Sequence, residues 1–196
     1  MIYTIGDSHA WHAWLNVPGV TTYPGFGPMT MFRLGREPII KPLEAFGIPK
    51  DTVAIMTWGE VDCRCHVHVH QPWKECIEDI VARYRVRLKD FESQLKQIIL
   101  YNVVPPPRAE KCLETYDPGN GIPVGFPFVG SNEIRKEYVQ YMNKLLSESG
   151  YPFIDVYKEF ADKDGYMACG QVHAQDEKPL IQWLADHKEY LHGNTN

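Results

Sequence analysis

Short apolar runs alternate along this chain with polar stretches rich in Gly and Pro, and two long segments between them repeat their apolar residues at helical spacing. Met1 to Ile5 has the pattern of a short buried strand, and Val20 to Tyr23 of a weaker second one, with Trp11 to Leu15 between them predicted as a first helix. Thr52 to Trp58 is continuously apolar and stops at Gly59, as expected of an interior parallel strand whose C-terminal end opens into a loop. From Pro72 to about Lys96, apolar residues recur at helical spacing (Cys76, Ile77, Ile80, Val81, Tyr84, Leu88, Phe91 and Leu95), and Pro72 suits a first turn.

Ile98 to Val104 is the next predicted strand, halted by Pro105, Pro106 and Pro107, which cannot continue a ladder. Arg108 to Gly130 lacks periodicity and carries much Pro and Gly, the mark of a long surface excursion. A helix over Asn132 to Glu148 follows, opened by Ser131 or Asn132 and closed by Gly150. Phe153 to Tyr157 reads as the last strand, and Glu177 to Leu191 as the last helix. Strands alternating with helices, without internal repeat or linker, predict an α/β fold: one three-layer α/β/α sandwich around a parallel central sheet, occupying residues 1–196 as a single domain.

Composition narrows the function classes. With 196 residues, 44% of them hydrophobic, the chain is long enough to bury a core without covalent staples. A formal charge of −5 gives no electrostatic footing for nucleic acid or an anionic membrane, so a neutral or small polar substrate is expected. No stretch has the length of a signal peptide's apolar region or of a membrane span, which predicts a soluble, cytoplasmic protein. The 5 cysteines form no regular framework and read as free thiols.

Three places carry candidate chemistry. Gly6-Asp7-Ser8-His9 directly follows the first strand, where a serine on the strand-to-helix turn holds its hydroxyl at the sheet's C-terminal edge. The competing reading is that Asp7 or Ser8 only caps the next helix. Glu60, Asp62 and Arg64 crowd the end of the third strand, a costly set to bury unless Arg64 pairs with Glu60 or Asp62 beside a cleft. His173 stands between the last strand and the last helix, from where it can meet a serine at the start of the sheet. The run from Cys63 and Cys65 through His66, His68 and His70 would put alternate side chains on one side if extended, but residues two apart on a strand rarely converge on one ion. No metal and no nucleotide cofactor is therefore predicted, the second because no phosphate-cradling Gly pattern follows a strand. Trp11, Trp14, Trp58 and Trp73 read as packing residues before they read as a sugar-stacking surface.

Gly6-Asp7-Ser8 after strand one, a glycine after strand two, the block Gly59-Glu60-Val61-Asp62-Cys63-Arg64-Cys65-His66 after strand three and the late His173 together resemble the four blocks of the SGNH, or GDSL-type, esterases and lipases. The resemblance implies a flavodoxin-like sheet and an acyl-enzyme mechanism. Ser8 would be the nucleophile and first oxyanion donor, Gly27 the second donor with Gly35 as fallback, His173 the general base, and Asp7 a turn former. Two positions depart from the family pattern. Val61 replaces an asparagine and cannot donate to an oxyanion, leaving Arg64 as the candidate. Gly170 stands where an aspartate would orient the imidazole, leaving a backbone carbonyl, Glu60 or Asp62 for that task. Three functions are compatible: hydrolysis of a small-molecule or glycan O-acyl ester, acyl transfer by the same pair, or glycan binding at a decayed site.

Overall fold

A computed structural model describes residues 1–23, 29–37, 43–112 and 127–192. Five strands, β1 (Ile2–Gly6), β2 (Val20–Tyr23), β3 (Val53–Thr57), β4 (Gln97–Tyr101) and β5 (Phe153–Ile154), form one sheet in the order β2-β1-β3-β4-β5. All neighbours run parallel. This is the order of flavodoxin-like sheets, in which the chain reverses direction across the sheet between β1 and β3 and leaves a crevice at their C-terminal ends.

Alternation along the strands builds two cores. Ile5, Ala54, Met56, Ile98 and Leu100 face one layer, made by α2 (Met31–Arg36), α3 (Trp73–Glu92) and α4 (Asn132–Ser147). Val53, Ile55, Ile99, Tyr101 and Ile154 face the other, covered by Trp14 beyond the single turn α1 (His9–His12) and by Leu180 and Leu184 of α6 (Lys178–Asp186). The three-layer sandwich predicted from the run of strands and helices is what the chain forms. No helix among the described residues is long and apolar enough to cross a membrane.

Several boundaries differ from those predicted, each for a local reason. Helix α3 ends at Glu92 because Gln94 N–H turns back to Phe91, freeing Lys96 N–H to bond Thr52 at the edge of β3. Strand β4 ends at Tyr101, where side chains replace the ladder. Asn102 Oδ1 accepts from Val156 N–H, and Asn143 both accepts from Val103 N–H and donates to its carbonyl. Tyr157 is not in β5 but opens the short α5 (Tyr157–Phe160), and the last helix breaks at His187 before α7 (Lys188–His192).

Glycine is required at two strand ends. A Cβ on Gly6 would lie 2.1 Å from the carbonyl oxygen of Thr57, so β1 and β3 meet too closely there for any side chain. Gly59 has φ +118 and would push a Cβ to within 2.8 Å of Val103. Because the obstacle at Gly6 is backbone, Gly6→Ala must part the two central strands. We expect a loss of at least about 2 kcal/mol in stability, read from the urea midpoint, together with loss of the site described next.

Candidate active site

The turn after β1 is fixed by three hydrogen bonds. Asp7 N–H donates to Thr57 O at 3.1 Å, tying the turn to β3. Asp7 Oδ1 accepts from His9 N–H at 2.9 Å, and Ala10 N–H closes onto Asp7 O at 3.0 Å. The carboxylate of Asp7 thus does the capping, and Ser8, although it stands at the N-cap position, makes no side-chain cap bond. Its exposed hydroxyl is left to face the C-terminal edge of the sheet.

There it meets His173. Nε2 of His173 lies 2.8 Å from Ser8 Oγ, across a sequence separation of 165 residues. The imidazole is held between two others: its centroid stacks 3.9 Å from that of His12 and lies 4.7 Å from that of His9. His9 is buried, with Nδ1 3.1 Å from Asp7 Oδ1 and Nε2 3.1 Å from the carbonyl oxygen of Val172. Burial alone would lower the pKa of His9, but the Asp7 carboxylate, its hydrogen bond, the nearby charge of Glu60 and the Val172 carbonyl outweigh it and raise it to about 9. A small void beneath the turn is lined by Asp7, His9, Thr57, Glu60 and Tyr101.

The acidic block after β3 is distributed differently. Residues 62–66 form a single π-helical turn and 67–69 a tight helical turn, so the alternation that an extended segment would give is not present. Arg64 Nη2 lies 3.1 Å from Glu60 Oε2, one of the two pairings expected, and the guanidinium sits over the ring of Phe128. It faces a hollow lined by Cys63, Pro106, Pro107, Phe128 and Arg135. Asp62 is fully buried, and its two oxygens accept the N–H groups of Met31 at 2.7 Å and Phe32 at 3.0 Å. It holds the first turn of α2 through these two bonds. Gly27, the expected second oxyanion donor, lies outside the described residues. Gly35, the fallback, is packed in α2, where a Cβ would meet Arg83 Cβ of α3 at 2.8 Å.

The thiols and imidazoles of the Cys63 to His70 run pack against several different groups. Cys63 Sγ contacts Met142 Sδ at 3.7 Å, and Cys65 Sγ donates to Val61 O. His66 packs on Phe32 and His70, and His68 Nδ1 lies 3.0 Å from the Tyr138 hydroxyl. Of the tryptophans weighed as a sugar platform, Trp14 and Trp58 are core, while Trp11, one turn beyond Ser8, is 43% exposed.

No protein-family model matches this chain, and no curated protein matches it. Solved structures do. A GDSL-like lipase from Bacteroides thetaiotaomicron superposes with a TM-score of 0.55 over 96% of this chain and 88% of its own, at 13% identity. An acetyl xylan esterase superposes with a TM-score of 0.51 over 94% and 98%, at 11% identity. The chain has the fold of the GDSL-like hydrolases. Within that fold, the Ser8 turn follows the first strand and the His173 segment precedes the last helices, both at the C-terminal edge of the sheet.

Sequence reasoning did not find His9, His12 or the role of Asp62. A histidine directly after the Gly-Asp-Ser turn was a usable signal for the first; nothing local connects Asp62 to a helix 30 residues earlier.

Asp62 yields a stability prediction. Burial pushes its carboxyl up to about 7 from an ordinary 3.8, against the two N–H donors that favour the charge. Between those values the folded protein holds a proton that the unfolded chain does not. Lowering pH through that window therefore adds stability, and raising it through about 7 removes it. Asp62→Ala should cost about 2 to 4 kcal/mol by orphaning both donors. In urea titrations from pH 5 to 8, Asp62→Asn should lack the pH-dependent component.

Proposed function

We propose that this chain is an SGNH-type serine ester hydrolase in which Ser8 is the nucleophile and His173 the general base. The observation that carries this reading is the 2.8 Å contact between His173 Nε2 and Ser8 Oγ at the crevice end of a GDSL-like sheet. Ser8 Oγ attacks the ester carbonyl as its proton passes to Nε2; collapse of the tetrahedral intermediate expels the alcohol, which takes that proton. Water then repeats the sequence on the acyl-enzyme, with the same imidazole first as base and then as acid. The backbone N–H of Ser8 is the first oxyanion donor and that of Gly27 the second.

Arg64 is committed to Glu60 in this reading and steadies the segment after β3. The substrate class we favour is a short acyl group on a sugar or similar hydroxyl. Exposed Trp11 beside Ser8 offers a flat apolar surface for a pyranose ring, and one solved example of the fold is an acetyl xylan esterase.

Hydrolysis of p-nitrophenyl esters of increasing acyl length tests the reading. Ser8→Ala and His173→Ala should each lower kcat by at least about a thousandfold, non-additively in the double variant. Wild type that is no faster than Ser8→Ala on every ester would overturn the proposal.

A further inference from the structure

His9 is a second imidazole at the site with no part in the chemistry above, and its surroundings fix its charge. Its two ring nitrogens face two oxygens that carry no hydrogen, Asp7 Oδ1 and the Val172 carbonyl, each at 3.1 Å. A neutral imidazole has one N–H and can satisfy only one of them; both bonds require both nitrogens to be protonated. The residue is 4% exposed, and separations of 3.1 Å leave no room for a water between either nitrogen and its oxygen.

What the second bond holds is the segment that carries the base. Between Met167 and Lys178 the chain has no regular structure. Among the described residues its bonds include Met167 N–H to Pro106 O, Ala168 N–H to Phe160 O and Gly170 N–H to Met167 O, and Cys169 Sγ and Gln175 Nε2 donate to the carbonyl of His173. Gly170, three residues before the base, has no side chain to offer. The Val172 carbonyl, adjacent to His173 in sequence, is instead gripped from the nucleophile's own turn, which is fixed to β3 through Asp7.

We infer that His9 is a buried imidazolium that clamps the Val172 carbonyl to the Ser8 turn and thereby sets His173 opposite Ser8 Oγ. It is a positioning residue, and its role rests on the proposed hydrolase reading. The groups that face it are Asp7 and Glu60, with Arg64 paired to the latter, Tyr101 across the small void, and the rings of His12 and His173. The two carboxylates hold its proton until about pH 9. The folded value lies above the ordinary 6.5, so the clamp is complete below that range and opens as pH rises through about 9.

Nitrogen NMR of the 15N-labelled wild type from pH 6 to 10 should show both His9 ring nitrogens protonated at pH 7, with one proton lost near pH 9. A neutral tautomer at pH 7 overturns the proposal. Kinetics supply the second arm. His9→Gln places an amide N–H where Nε2 stood and can still hold Val172, whereas His9→Asn reaches only Asp7. His9→Asn should lose about a hundredfold in kcat with little change in KM, because the base is misplaced and substrate contacts are not. His9→Gln should recover most of that loss and lack the wild type's decline above about pH 9. Equal losses in the two variants, a loss carried by KM, or an unchanged alkaline decline in His9→Gln each refute the clamp. If wild type hydrolyses no ester, the hydrolase reading fails by itself. The clamp is then decided by the NMR titration and by amide exchange over residues 170–174, which should be faster in His9→Asn than in His9→Gln.

Discussion

The close approach of β1 to β3 at their C-terminal ends is the constraint on which the rest of the site depends. With only hydrogen at Gly6, the Thr57 carbonyl can come near enough to accept from Asp7 N–H, and the chain must turn sharply at that point. The turn brings the Asp7 carboxylate back under its own backbone, frees the Ser8 hydroxyl from capping and directs His9 inward. One missing methyl group thus decides the orientation of three consecutive side chains. The same strands lie side by side inside the sheet, each paired along both edges.

The buried charges near this edge are resolved in three different ways. Asp7 faces an imidazole, Glu60 a guanidinium, and Asp62 two backbone N–H groups. Each carboxylate replaces lost hydration with a specific partner, as a desolvated charge must. The division also separates tasks: Asp62 holds a helix, Glu60 steadies Arg64, and Asp7 alone touches the turn that bears Ser8. Crowding of acidic residues after β3 therefore marks a junction of structural supports as much as a site.

The sequence showed most of what depends on local order. The apolar runs at Met1 to Ile5 and Thr52 to Trp58, and the helical spacing over α3 and α4, are periodic signals that tertiary contacts only reinforce. Gly6-Asp7-Ser8 at a strand end and His173 before the last helix could be placed at one edge from topology alone. Helix α2 was not legible: it is six residues long with a glycine inside, and its N–H groups are satisfied by a carboxylate far along the chain. The helical turn at Asp62–His66 was not legible, because its alternating Cys and His carry no helical period. The break at His187 escaped notice because the apolar pattern runs through it, while the ring stacks back on Trp183.

The 165-residue span between Ser8 and His173 bears on how this protein comes to life in a cell. During synthesis β1, with Ser8 just beyond it, is made before both of its neighbours and has no partner until β2 and β3 follow. His173 follows all five strands in the chain, on a segment without regular secondary structure. Under the proposed reading, a polypeptide made only as far as β5 has Ser8 without its imidazole partner and is chemically silent.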